Sequence, residues 1–237
     1  VSVRGGGNEQ LDGIDIDLRA GEVVGLSGLQ GSGRTELSEA IFGTAPFTRG
    51  ELRVDGEVAR IRSARAAVRR GIALVTEDRK RTGLALNQSL IDNSLLAIRS
   101  VFPGRTRASR AAMPGMFTSL EVISQGMQQE VQVLSGGNQQ KVVLARELSF
   151  DPKVVVFNKP TYGLDVKTTN AVRSRIRQLA DTGDAGALVI STDLEELLVL
   201  CDRIAVLSRG RLMGIVQNKS GAEQEIGALM IGGGQGE

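Results

Sequence analysis

Three short stretches of the chain carry residue types that handle phosphate. The first, GLQGSGRT from Gly28 to Thr35, follows an apolar run and precedes a helical one. It fits the spacing G-x-x-x-x-G-K-[ST] with Arg34 in the lysine position. Glycines let the backbone curl so that several N–H groups point at one anion, and the following helix adds its positive end. Gly28, Gln30, Gly31, Ser32, Gly33 and Arg34 are therefore candidates for holding phosphate, and the Thr35 hydroxyl is a candidate Mg2+ ligand. Arg34 keeps the positive charge, but its planar fork is bulkier than an ammonium and alters the expected phosphate geometry. A glycine-rich turn capped by Thr35 has the same composition, so the loop alone leaves both readings open.

The second stretch, LSGGNQQK from Leu134, opens a helix with a serine and two glycines. An ordinary N-cap accounts for Ser135. Gly136 and Gly137 additionally leave backbone N–H groups bare at the positive end of the helix, a second place for an anion. The third is KVVVFNKPTYGLD, residues 153 to 165, where an apolar run ends in Asn158 and Lys159. In a chain that otherwise reads as built to handle nucleoside triphosphates, an acidic pair would be expected there. An amide is a poor anchor for a hard cation, and an ammonium at neutral pH cannot accept a proton.

The elements that must position these residues alternate between strand and helix. EVVGLSG (22–28), GIALVT (71–76), KVVVF (153–157), GALVIS (186–191) and RIAVL (203–207) read as buried strands. RTELSEAIFG, VKTTNAVRSRIRQLAD and DLEELLVL carry helical spacing between them, the pattern of a mostly parallel sheet covered by helices. GGGNEQLDGIDIDLRAGE and RGELRVDGEVARI alternate apolar and polar residues between turns, which predicts an antiparallel patch. From about 84 to 130 the rhythm breaks. QSLIDNSLLAIRSVF reads as helix and PGRTRASRAAMPG as a mobile loop, so the middle of the chain is expected to be an inserted helical subdomain.

Composition limits the remaining possibilities. With 237 residues and 41% hydrophobic content, the chain can bury a sizeable core. A net charge of +2, with basic residues dispersed, gives no reason to expect nucleic acid. Cys201 lies in the apolar run LLVLCDRIAVL and reads as a core thiol. No apolar stretch reaches the ~18 residues of a membrane helix, and no signal peptide is recognised, so the chain reads as cytosolic. It begins at Val1 rather than Met and enters strand-like sequence at once, which suggests a piece of a longer polypeptide.

LSGGNQQK, together with TEDRKRTGL at 76–84 and GLQGSGRTEL at 28–37, resembles the ATP-binding cassette family, whose signature is LSGGQ. Within that family it is similar to the second nucleotide-binding half of fused importer ATPases for monosaccharides such as ribose, galactose or xylose. The resemblance runs from Leu11 to about Gly214. Importers of nucleosides and autoinducer sugars share much of it. It implies an α/β fold with a P-loop NTPase (RecA-like) core. That core, residues 1–83 and 150–237, would hold a mostly parallel sheet and an antiparallel β patch, with a helical subdomain at 84–149 inserted in it.

By position the resemblance assigns the metal-holding aspartate to Asn158, the catalytic glutamate to Lys159, the switch histidine to Thr192 and the Mg2+-sensing glutamine to Glu77. Asp165 matches the aspartate of the family's D-loop. Replacing an acid by Asn158 adds one positive unit, replacing another by Lys159 adds two, and an ionised Glu77 removes one, a net gain of two. In the family two such domains face head to tail. Ser135, Gly136, Gly137 and Asp165 would then serve the partner's ATP, while Arg34, Asn158, Lys159 and Thr192 belong to this domain's own, degenerate site.

The cofactors implied are ATP and Mg2+, with ATP binding at this site expected to depend only weakly on Mg2+. The partners implied are a second nucleotide-binding domain, expected on the same polypeptide, a transmembrane permease and, indirectly, a sugar-binding protein, at the cytoplasmic face of the cell membrane. A nucleotide-binding module without hydrolysis and an importer subunit for nucleosides are the alternatives.

Overall fold

Runs of β-branched residues that are apolar at every position suit strands covered on both faces. The computed structural model describes residues 1–232 and places five such runs side by side. Strands β1 (Ser2–Gly7), β2 (Ile14–Asp17) and β3 (Val23–Gly28) lead into helix α1 (Arg34–Phe42). Then come β4 (Arg49–Val54), β5 (Glu57–Val58), α2 (Ala64–Arg69) and β6 (Ile72–Val75). Helices α3 (Leu90–Ser94), α4 (Leu96–Val101), α5 (Thr106–Ser119) and α6 (Gly136–Leu148) follow. The chain returns through β7 (Val154–Asn158), α7 (Val166–Asp181), β8 (Gly186–Ile190), α8 (Leu194–Leu200), β9 (Arg203–Ser208), β10 (Arg211–Gln217) and α9 (Ala222–Gly232).

The main sheet has the order β10-β9-β3-β8-β7-β6, parallel except for β10 at its edge. Successive residues of its strands feed opposite cores, as a side-chain period of two requires. Val155, Phe157 and Val189 pack with the helices α6 and α7 on one face. Val154, Val156, Leu188 and Ile190 pack on the other with α1 and with Val3, Ile14, Ile16 and Leu52 of the second sheet. That sheet is antiparallel, with the order β2-β1-β4-β5, which is the patch expected from its alternating sequence.

One expectation is overturned. The stretch 103–115 is not a mobile loop: it is a 3-10 turn at 103–105 followed by most of α5, with Pro114 inside the helix. Ser109, Met113 and Phe117 recur every four residues and are buried, so one narrow stripe holds the helix down. An interior proline costs about 3 kcal/mol, and burying two large apolar side chains returns about 3–6 kcal/mol. Strand β10 is also absent from the sequence reading; it is a half-exposed edge strand whose residues alternate in and out.

Cys201 is a buried free thiol, and burial pushes its pKa well above the usual thiol range. Among the described residues no helix is long and apolar enough to cross a membrane.

The turn between β9 and β10 ties the two sheets to the phosphate loop. Gly210 donates its N–H to the carbonyl of Ser32 at 2.9 Å and accepts at its own carbonyl from the N–H of Asp12 at 2.9 Å. Its φ is +75°, and a Cβ there would lie 2.0 Å from the carbonyl oxygen of Gln10. We predict that Gly210→Ala lowers stability by about 3 kcal/mol, from strain plus forced backbone movement. An unchanged urea midpoint would show that the turn relaxes freely.

Candidate functional site

The strand register brings two of the three chemical stretches, the glycine loop and the end of KVVVFNK, to one edge of the sheet together with the loop after β8. Ile190, the last residue of β8, pairs with Leu26 of β3 on one side and with Asn158 of β7 on the other. The loops beginning at Gly28, Lys159 and Ser191 therefore leave the sheet side by side at its carboxyl end, the usual place for ligands in open α/β sheets. A 560 Å³ cleft opens there, lined by residues 28–36 with Lys159, Ile190 and Thr192.

The phosphate loop turns on glycines where only glycine fits easily. Gly31 and Gly33 have φ of +76° and +104°, and a Cβ on Gly28 would lie 2.4 Å from the carbonyl oxygen of Leu207. Gln30 and Thr35 are exposed in the cleft wall, whereas Ser32 is 4% exposed and its buried hydroxyl has no protein partner. A glycine cradle with an orphaned hydroxyl at a helix start fits a phosphate group. Arg34 is turned inward: its Nη1 donates to the carbonyl oxygen of Ser191 at 2.7 Å. Burial lowers its pKa and the nearby Glu77 opposes that shift. This cation thus cross-links the start of α1 to the end of β8.

Asn158 is 6% exposed, and its Oδ1 is buried without a donor. Lys159 adopts a left-handed backbone, φ +47°, with its N–H on the carbonyl of Ile190 at 2.8 Å. Its Nζ lies 2.6 Å from Oε1 of Glu77, so two residues separated by 82 positions form an ion pair in the site. Neutral Thr35 and Asn158 and an already paired Glu77 do not fit a carboxylate-held Mg2+. Thr192 is an exposed hydroxyl at the cleft wall.

The remaining candidates lie elsewhere. Ser135, Gly136, Gly137 and Asp165 are not among the residues that line this cleft. Ser135 N-caps α6 by accepting from the N–H of Asn138 at 3.4 Å. Asp165 N-caps α7, accepting from the N–H of Thr168 at 3.0 Å and from its hydroxyl at 2.7 Å. Those bonds hold its carboxyl below the usual carboxylate range.

The family model described as ABC transporter matches residues 11–162. The ribose import ATP-binding protein RbsA 2 of Rhizobium meliloti is 40% identical over 236 residues, covering 98% of this chain and 46% of that protein. The chain belongs to the ABC transporter family. A second relative, the ribose import ATP-binding protein RbsA of Geobacillus kaustophilus, is 37% identical over 91% of the chain and 44% of its own length. The chain thus spans less than half the length of the curated relatives it matches. A nucleotide-free ATP-binding cassette from an ABC transporter shares the fold with a TM-score of 0.82 at 18% identity, over 100% of this chain and 98% of that one. A bacterial Atm1-family ABC exporter with ATP bound gives 0.78 at 22% identity, over 100% of this chain and 42% of that one.

Two features of this ABC transporter cassette escape a sequence reading. Arg79, within TEDRKRTGL, packs against the signature: its Nη2 lies 2.6 Å from where a Cβ on Gly136 would be, and its Nη1 donates to the carbonyl of Tyr162 at 3.2 Å. Glu196, 2% exposed, accepts from Thr161 Oγ1 at 2.6 Å, Ser191 Oγ at 2.7 Å and Arg173 Nε at 3.4 Å. The only sequence trace of it is an acid on the apolar side of α8. This carboxylate joins the loops after β7 and β8 beneath the cleft. Glu196→Leu is predicted to lower stability by about 3 kcal/mol, because the buried Ser191 hydroxyl, the half-buried Thr161 hydroxyl and an arginine lose their acceptor, with Glu196→Gln costing less. A denaturation midpoint equal to the unmodified chain's would remove the network from the account.

Proposed function

We propose that this chain is a nucleotide-binding domain of a sugar-importer ATPase, binding ATP at its own phosphate loop and lending its signature to a second domain's hydrolysis. The observation that carries this reading is the likeness over almost the whole chain to ribose import ATP-binding proteins of which it spans less than half. A chain of that kind acts with a second nucleotide-binding domain, a transmembrane permease and a sugar-binding protein, at the cytoplasmic face of the membrane.

The division of labour follows from proton bookkeeping. Gly28, Gln30, Gly31, Ser32, Gly33 and Thr35 surround the phosphates, and Arg34 holds the loop against β8 through Ser191. Hydrolysis needs an acceptor for the proton of the attacking water. Lys159 stands at the position that the family resemblance gives to that base, and its ammonium, paired to Glu77, has no lone pair to offer. Losing a general base costs ~10²–10⁴ in rate, so the chain's own site retains binding and loses turnover. Ser135, Gly136 and Gly137, at the positive end of α6, and Asp165 remain for the partner's ATP.

Two measurements test this. The isolated chain, given saturating ATP and Mg2+, is expected to show no steady turnover; several turnovers per second, within the usual enzyme range, would overturn the loss of hydrolysis. In the full-length subunit with its permease, Ser135→Arg should reduce ATPase rate and ribose uptake together by about 10²-fold, the scale of losing transition-state charge stabilisation. Undiminished uptake by that variant would mean that the signature serves no partner site.

A further inference from the structure

The pairing of Lys159 with Glu77 has a physical reading beyond a missing base. We propose that Lys159 is a built-in counter-cation for a nucleoside triphosphate: its ammonium exchanges Glu77 for the terminal phosphates, so the nucleotide binds without a divalent metal and Glu77 is released. The inference rests on the nucleotide-binding reading above and names the form of ligand that this site takes.

Lys159 lies in the wall of the same cleft as the phosphate loop. Arg34 also lies there, but it is buried and its Nη1 is committed to the carbonyl of Ser191 at 2.7 Å. Lys159 is held differently. Its backbone is fixed at the end of β7 by the bond to Ile190, whereas its four-carbon stem is partly exposed, with the side chain at 26%. Turning that stem carries the charge without moving the strand.

The competition favours phosphate. Glu77 offers one negative charge, while a terminal phosphate carries about two at neutral pH and more acceptor oxygens. An ammonium is a compact point charge with three donors, suited to that exchange. A partly exposed ion pair such as Lys159 with Glu77 resists it by only about 1 kcal/mol. One further group calls for an anion: the buried hydroxyl of Ser32 lacks a partner within the chain and can donate to a phosphate oxygen. A carboxylate-bound metal is disfavoured on the same geometry, since Thr35 in the cleft wall and Asn158 at the end of β7 are neutral.

The test is ATP affinity of the full chain, by calorimetry, with Mg2+ and with a chelator. The unmodified chain should bind equally in both buffers, within about threefold. Lys159→Met should lose at least tenfold in chelator, and Lys159→Arg should recover part of that loss. Glu77→Gln, which removes the competing carboxylate, should bind more tightly than the unmodified chain. The double variant Asn158→Asp, Lys159→Glu should bind only with Mg2+. A loss of tenfold or more for the unmodified chain on chelation overturns the proposal, as does a folded Lys159→Met that binds normally without metal. Absence of ATP binding by the unmodified chain in both buffers overturns the nucleotide-binding reading, and this inference with it.

Discussion

Ile190 is hydrogen-bonded into two neighbours at once, opposite Leu26 on β3 and Asn158 on β7. That register aligns the ends of three strands, and the cleft exists because the loops leaving them start at one level. A slip of one residue along β7 would send Val154 and Val156 to the core now filled by Val155 and Phe157, exchanging every side chain between the two faces. Both faces are packed with different partners, helices on one side and the antiparallel sheet on the other. The register is therefore held by two cores together, and the site inherits its precision from packing rather than from polar contacts.

Within that frame, burial decides which charge can move. Arg34 is enclosed and bonded to a main-chain carbonyl, and a buried donor that loses its acceptor leaves about 1–3 kcal/mol uncompensated. Lys159 and Glu77 meet where water still reaches both, and such a pair contributes about 1 kcal/mol or less. The two cations in the cleft wall thus have separate duties. Arg34 fastens the phosphate loop to β8, and Lys159 is the charge that the proposed exchange with a ligand would use.

Much of this architecture was legible in the sequence. The five buried strands read as apolar runs because both their faces are covered, and α7 occupies the span that its helical spacing marked. Strand β10 was missed because it is a half-exposed edge, and α5 because its buried stripe holds three residues beside an interior proline. The glycines of the phosphate loop and Ser135 were visible as local patterns. The contact between Lys159 and Glu77 was not: a sequence can count their charges, but only the fold makes them partners across 82 positions.

The segment between Glu77 and Gly83 links the cleft to the signature. Asp78 caps it by accepting from the N–H groups of Lys80 and Arg81, each at 3.1 Å, and Thr82 Oγ1 donates to the carbonyl of Asp78 at 2.8 Å. Arg146 of α6 donates to the carbonyl of Gly83, so both ends of the turn are fastened. Arg79, two residues after Glu77, then lies where any side chain at position 136 would need to be. A side chain at position 136 would thus have to displace the Arg79 guanidinium from its bond to the Tyr162 carbonyl. A braced segment with Glu77 at one end and Arg79 against α6 gives the Lys159–Glu77 ion pair and the start of α6 a common mechanical support.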